Sequence, residues 1–445
     1  MDFSVFKKLV IARCEELGLA DYELYYQMAE SVSAETYQHS ISEFTSSTEG
    51  GVCFRCIVNG KMGYASTESL TEAQAKTIVA RAVENAMVLE AEEQVFLGEG
   101  GKTYAPLEER NLTMPTAENL IHMVLSTQEQ LYAADPAVID GCATQAIAER
   151  SCTAIYNSRG LDLSCENVLN ALVVGALVSD GKEMADSYEI KLGALDQMDT
   201  EAMTQKAAKT ALGKLGGDVA PTGQYPVIFN PDAMSSLLST FCGIFSAENA
   251  QKGLSKLADK EGTVIAADVV TLVDDPFCPE SPINRNFDAE GSPTYRKNLI
   301  EAGSLKTLLH NLKTANMAGI QTTGNASKAG YDSPVGIRPF TLYLTAGTMT
   351  EEELLHKAEN GVYIQSLSGL HAGADPVSGD FSLQSAGFMV ENGQKTTPVK
   401  SFTVAGNFYT LLQNVVALAS NLEFPGMGKV GSPSVLVQGL SIAGK

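Results

Sequence analysis

The stretch Gly51-Val52-Cys53-Phe54-Arg55-Cys56-Ile57-Val58-Asn59-Gly60-Lys61-Met62-Gly63-Tyr64-Ala65 decides how the chain begins to fold. Gly51 to Val58 is rich in β-branched and aromatic residues, and Asn59-Gly60 supplies the positive φ angles of a tight hairpin turn. Lys61 to Ala65 then returns as the next strand. Working outward, Tyr22 to Met28 and Ala34 to Ile41 have the same texture, so these segments predict an antiparallel sheet. Helices flank it. Phe3, Phe6, Val10, Cys14 and Leu17 recur at steps of three or four and so share one helix face, which Gly18 terminates. Thr71-Glu72 opens a second helix running through about Glu92, with Ile78, Ala82, Val83, Ala86 and Leu89 along its apolar side.

Further along, a helix is predicted from Thr116 to about Ala133. Short strands follow at Thr153 to Tyr156, Leu161 to Cys165, Leu169 to Val178 and Met184 to Ile190, separated by turn-forming residues. Pro221-Thr222-Gly223 marks a boundary. Beyond it, Tyr225 to Phe229 reads as a strand, and Asn230-Pro231 gives an N-cap with proline at the first helical position for a helix from Asp232 to about Phe245. Thr263 to Val273, Gly336 to Leu344 and Lys400 to Val404 read as strands, and Thr350 to Asn360 and Phe408 to Ser420 as helices. The predicted fold class is α+β. An N-terminal α+β domain, residues 1–220, has two sheet-and-helix layers and a linker near 96–115; a β-rich C-terminal domain, 221–445, contains antiparallel strands.

The 445 residues carry 31 Lys plus Arg against 53 Asp plus Glu, a net charge of −22. Such an excess repels nucleic-acid phosphates and anionic lipid, so neither is an expected partner. The longest apolar stretch, Val168 to Val178, is interrupted by Asn170 and Gly175 and is about half the ~20 residues that span a bilayer. Met1 to Glu16 lacks the pattern of a signal peptide, which predicts a cytoplasmic protein whose eight cysteines are reduced thiols.

Several local patterns are decoys. Gly98 to Thr103 lacks the leading glycine of a phosphate loop, because Phe96 stands there, and reads as a flexible linker. Cys53 and Cys56, three apart on a strand, point to opposite faces, and no second cysteine pair completes a zinc site. The five histidines, at 39, 122, 310, 356 and 371, allow no zinc helix with two imidazoles one turn apart. No GxSxG nucleophile elbow occurs.

The C-terminal half has a different texture. Its loops are dense in Gly, Asn and Asp, which permit unusual backbone angles and local hydrogen bonds. In order come Asp288-Ala289-Glu290-Gly291, the pattern IxxGxLKxxLHN from Ile300 to Asn311, Thr323-Gly324-Asn325-Ala326, Gly369-Leu370-His371-Ala372-Gly373 continuing to Ser382, and GFMVENG from Gly387 to Gly393. This series resembles the TldD/PmbA family, the modulators of DNA gyrase, over nearly the whole chain and most specifically over residues 225 to 445. Gly431-Ser432-Pro433-Ser434-Val435 with Gly439-Leu440 is similar to the PmbA, or TldE, branch.

The resemblance implies a peptidase system in which homologous TldD-like and TldE-like subunits assemble and cut unfolded peptides. In the TldD branch a helix bearing HExxxH and a late cysteine hold the metal. Here Ser239 and Ile244 occupy the histidine places, Thr240 the glutamate place and Met427 the cysteine place. Hydrolytic zinc needs about three protein ligands and a base for its water. A hydroxyl, an aliphatic chain and a thioether do not supply them. The expectation is a TldE-like subunit with no metal and no catalytic residue of its own, zinc residing in an HExxxH-bearing partner. Asn325, His371, Asp375, Ser378 and Asp380 are the expected groove or partner surface for an extended peptide. The alternatives are a self-sufficient family peptidase and a homodimeric peptide-binding or chaperone-like protein.

Overall fold

The structure is a computed structural model and describes residues 1–90, 94–281 and 284–444. Its first half comprises α1 (Phe3–Glu16), β1 (Tyr22–Tyr37), β2 (Ser40–Val58), β3 (Lys61–Thr67), α2 (Glu72–Val88), α3 (Ala117–Ala134), β4 (Ala143–Asn157), β5 (Asp162–Ser179), β6 (Met184–Leu192) and α4 (Thr200–Leu212). The strands form one antiparallel sheet in the order β3-β2-β1-β4-β5-β6. The hairpin turn sits at Asn59-Gly60, with φ of 52° and 75°, and pairs Val58 with Lys61.

Both helix pairs lie on one face of this sheet. Phe6, Val10 and Cys14 of α1 and Ala75, Ile78, Val79 and Ala82 of α2 pack on Leu24, Val52, Phe54 and Cys56. Farther along the same face, Leu120, Val124 and Leu131 of α3 and Met203, Ala207 and Ala211 of α4 pack on Ala34, Ala146, Ala148, Leu172 and Val174. Small residues set the spacing: a Cβ on Gly63 would lie 1.9 Å from the Ala82 carbonyl oxygen, so α2 seats on β3 only because that position is glycine. Cys53 and Cys56 do face opposite sides of β2, Cys56 toward the helices and Cys53 toward the other half of the chain.

The second half contains β7 (Gly223–Phe229), α5 (Pro231–Phe241), α6 (Ala247–Gln251), β8 (Leu272–Asp274), β9 (Lys297–Glu301), β10 (Ser304–Leu305), α7 (Leu312–Ala318), β11 (Ala326–Ser327), β12 (Gly336–Ile337) and β13 (Leu342–Leu344). It continues with α8 (Glu351–Ala358), β14 (Gly361–Ser368), α9 (Leu370–Gly373), β15 (Asp380–Glu391), β16 (Gln394–Asn407), α10 (Phe408–Gln413), β17 (Val415–Leu418), β18 (Val430–Gly431) and β19 (Val435–Ala443). One sheet runs β16-β15-β14-β7-β19-β17, and an added pairing of β16 with β19 closes a ring. A second runs β10-β9-β8-β13-β18. Helix α5 shares one hydrophobic core with both, its Leu237, Leu238 and Phe241 meeting Val227, Phe229, Val362, Leu342 and Leu344. The architecture is α+β.

Several sequence-based expectations are corrected. Tyr22–Met28 and Ala34–Ile41 are not separate strands: β1 runs unbroken to Tyr37 and turns at Gln38-His39, both at positive φ. The middle of β2, residues 42–49, is exposed or half-exposed on both faces and rich in Ser, Thr and Glu, which mutes the apolar alternation on which a strand is recognised. Strands 161–165 and 169–178 are likewise one strand, β5, and α4 had no predicted counterpart. The helix opened by Thr71 ends at Val88, and residues 91–93 of the expected span lie outside the described residues. Of the segment 263–273 only Leu272 and Val273 are strand, as the start of β8, and the segment 336–344 divides into β12 and β13. The helix from Phe408 stops at Gln413, since Val415 to Leu418 pair with Val435 to Val437 on β19. The glycines at 98 and 100 serve close approach rather than flexibility: a Cβ there would lie 2.1 Å from the Glu290 carbonyl and 2.2 Å from the Gly160 carbonyl.

Candidate functional site

Three places in the second half carry the residues singled out in the sequence. The first is the end of α5. Asn230 caps the helix by accepting from the Ala233 amide at 2.8 Å, and Pro231 occupies its first position. The α-helix then stops at Phe241, not near Phe245 as expected, and tightens into a 3₁₀ turn over Cys242–Phe245. Phe241 stacks on Phe408 at 4.6 Å between ring centroids, and Ile244 and Phe245 are buried in the same core. Packing of that kind contributes about 1.5–3 kcal/mol per side chain.

This tip does not fit a zinc ion. Ser239 is exposed, Thr240 donates its hydroxyl back to the Ser236 carbonyl at 2.8 Å, and Ile244 is 1% exposed inside the core. Met427 stands in a turn between Gly426 and Gly428, both at positive φ, and is 42% exposed. Among the described residues no three His, Cys, Asp or Glu side chains are grouped so as to hold a metal ion. Cys242 adds one thiol, which burial pushes toward the neutral form against the opposing charge of Arg338.

The second place is a buried polar network around Asn325. Asp274, fully buried on β8, accepts from Lys297 Nζ at 3.2 Å, from Asn325 Nδ2 at 2.7 Å and from the Phe340 amide at 2.7 Å. Asn325 Nδ2 also reaches the Arg338 carbonyl at 3.2 Å, whereas its Oδ1 finds no hydrogen-bond donor among the described residues. His310 lies alongside: its carbonyl accepts from the Asn325 amide at 3.3 Å, and it is 3% exposed. Among the described residues neither ring nitrogen has a well-formed hydrogen bond, and burial lowers the basicity of the ring.

A seam of charge joins this network to the first sheet. Arg55 of β2 pairs with Glu23 of β1 at 2.6 Å, both side chains nearly sealed from solvent. Asn157 donates to Glu23 at 3.2 Å and to the Gly98 carbonyl at 2.8 Å. From the other half, Asp288 accepts the amides of Glu290, Ser292 and Ala326 at 2.9–3.0 Å, and Glu290 accepts the Leu312 amide at 2.8 Å. Burial raises the proton affinity of both carboxyls. The charge of Arg55 opposes this at Glu290, as the three backbone amides do at Asp288. The sequence offered Glu290 only as part of a Gly-rich loop. The charge of Arg55 that acts on it comes from more than half the chain away in sequence and has no local signal.

The third place is the loop after α9. His371 is exposed on that short helix. Asp375 accepts the amides of Val377 at 2.8 Å and Ser378 at 3.3 Å, a closed turn that lowers its proton affinity. Asp380 accepts from Asn407 Nδ2 at 2.7 Å, and its amide donates to Ser378 Oγ at 3.2 Å. Lys256 donates to the Ser378 carbonyl at 2.7 Å and lies 5.2 Å over the Tyr409 ring. The structure thus brings Asp375, Ser378 and Asp380 together beside His371, while Asn325 belongs to the separate buried network.

Comparison with known proteins agrees with this layout. Sequence profiles described as PmbA/TldA metallopeptidase domain 1, central domain and C-terminal domain match residues 22–86, 110–215 and 222–444. A metalloprotease of Methanothermobacter thermautotrophicus is 26% identical over 404 residues, covering 88% of this chain and 86% of the relative. A metalloprotease PmbA homolog of Haemophilus influenzae is 25% identical over 425 residues, covering 93% and 90%. The crystal structure of a candidate modulator of a DNA gyrase from Thermotoga maritima superposes with a TM-score of 0.91 at 29% identity, over 99% of this chain and 100% of that one. TldE from Thermococcus kodakarensis shares the fold, with a TM-score of 0.89 at 23% identity over 98% and 99%. The chain belongs to the PmbA/TldD metallopeptidase family.

Proposed function

We propose that this chain is the TldE-like, non-catalytic subunit of a cytoplasmic metallopeptidase complex that degrades or matures unfolded peptides. Zinc and the catalytic base reside in an HExxxH-bearing, TldD-like partner, and this chain positions the peptide. The observation that carries the reading is the tip of α5. The hydroxyl of Thr240 is turned back on its own helix and Ile244 is sealed in the core, so neither side chain can meet a metal ion. Closing that gap would require unwinding a packed helix end, not a rotamer change. The loop of His371, Asp375, Ser378 and Asp380 is the proposed peptide or partner surface, and Asn325 belongs to the separate buried network. Eight unpaired cysteines accord with a reducing compartment.

Elemental analysis of the purified chain, alone and after co-purification with a TldD-like subunit, tests the reading. The expected result is no zinc in the chain alone and about one equivalent per pair in the complex. Tightly bound zinc at one equivalent in the chain alone would overturn it.

A further inference from the structure

The first sheet has a second face, and most of it is bare. Both helix pairs occupy the opposite side. Loops of the second half cover this side around Tyr25, Cys53, Ile155 and Cys165, and reach it at Gly51, Thr153 and Asn167. Beyond that end, register fixes what points outward. Ile147 stands opposite Ala171, Val173 opposite Ile190, Gly175 opposite Tyr188, and Ser179 opposite Met184. Tyr188 and Met184 are 67% and 66% exposed, on a strand at the edge of its sheet. An apolar stripe of this kind on an edge strand is a ready surface for another extended chain.

What the stripe fits is set by its border. The outward positions of β1, β2, β4 and β6 carry Glu35, Glu43, Glu49, Glu149 and Asp186. No lysine or arginine stands at an outward position over residues 27–35, 43–51, 143–151, 167–179 and 184–192. Beside the covered end of the face a cleft of about 600 Å³ opens between this hairpin and the loop at Tyr331, walled by Glu49, Glu68 and Asp332 and, among the described residues, by no cation. Lys328, in the same loop, lies over the Tyr25 ring at 4.8 Å, at the covered end of the face. Carboxylates on one side and apolar side chains on the other leave an anionic, amphipathic floor.

We infer that this bare face receives an extended peptide rich in basic and apolar residues. Its apolar side chains lie against Ile147, Val173, Tyr188 and Ile190, and its cations reach the carboxylate border and the cleft at Tyr331. The inference rests on the reading of the chain as a peptide-positioning subunit and adds the chemical class of the peptide.

The test is fluorescence anisotropy with a labelled, unstructured lysine- and leucine-rich peptide and its glutamate–leucine counterpart. The lysine peptide is expected to bind about ten-fold more tightly than the glutamate one. Raising salt to about 0.5 M is expected to weaken that binding strongly. Each of two surface variants, Tyr188→Ser with Ile190→Thr and Glu43→Lys with Glu49→Lys, is expected to lose about ten-fold in affinity with circular dichroism unchanged. Equal binding of the two peptides, or binding indifferent to both variants, would overturn the inference. In parallel the chain paired with its HExxxH-bearing partner is given a neutral unstructured peptide. Cleavage that ignores both variants would count against the face alone, whereas no cleavage of any peptide by the pair would count against the subunit reading itself.

Discussion

The tip of α5 and the seam between the two halves of the chain treat polar groups in opposite ways. At the tip, Ile244 is carbon packed into the core, Thr240 satisfies itself on its own helix, and Ser239 and Met427 face solvent. At the seam, Glu23, Arg55, Asp274, Asp288, Glu290 and Lys297 are all buried and bonded across long stretches of sequence. The tip contributes packing, and the seam fixes where the Gly-rich loops of residues 288–326 sit against the first sheet.

The largest effect should come from breaking the seam. Arg55→Met leaves Glu23 buried without its cation and removes the positive charge that opposes protonation of Glu290, and is expected to cost about 3–5 kcal/mol in denaturant unfolding. A loss below about 1 kcal/mol would mean that the seam is a solvated pairing and not a structural joint. At the tip, Ile244→Ala is expected to cost about 2–5 kcal/mol as a cavity in the shared core. If it were nearly neutral, Ile244 would not be core, and the contrast drawn here would fail.

Asp380→Ala sharpens the third region. It removes the acceptor for Asn407 in an exposed loop. Peptide cleavage by the assembled pair is expected to fall about ten-fold while assembly and the thermal midpoint hold. Unchanged cleavage and unchanged assembly would remove this loop from the site. A smaller effect separates the buried carboxyls from ordinary ones. Burial raises the affinity of Glu290 for its proton, so the folded chain takes up that proton at higher pH than the unfolded chain does. This carboxyl therefore favours folding more at low pH, and its contribution declines as pH rises from about 4, the ordinary carboxylate range, toward neutrality. Comparing thermal midpoints across that window, Glu290→Gln should decline less with rising pH than the natural chain, and equal slopes would refute the assignment. The smallest effect is expected at Ser239→Ala, within about 0.5 kcal/mol, because that hydroxyl faces water.

The parts of the fold legible in the sequence are those whose signal is local. Asn59-Gly60 specifies its own turn, and Thr71, Thr116 and Thr350 cap helices that begin where expected. The long hairpin of β1 and β2 reads in fragments because the middle of β2 is exposed or half-exposed on both faces and rich in Ser, Thr and Glu, which mutes the apolar alternation. Val415 to Leu418 read as helix because four apolar residues carry no period of their own; pairing with β19 decides them. The same holds for the candidate site. The expectations at Ser239, Thr240, Ile244 and Met427 rest on position in the sequence, whereas the seam of Glu23, Arg55, Asp288 and Glu290 depends on tertiary neighbours that no window of sequence contains.

The central claim is that this chain supplies shape and the partner supplies metal. Cleavage of an unstructured peptide should be measured for each subunit alone and for the two co-expressed, with zinc present throughout. The account predicts cleavage by the pair and none by this chain alone. Zinc-dependent cleavage by this chain in isolation, at a rate comparable to the pair, would contradict it.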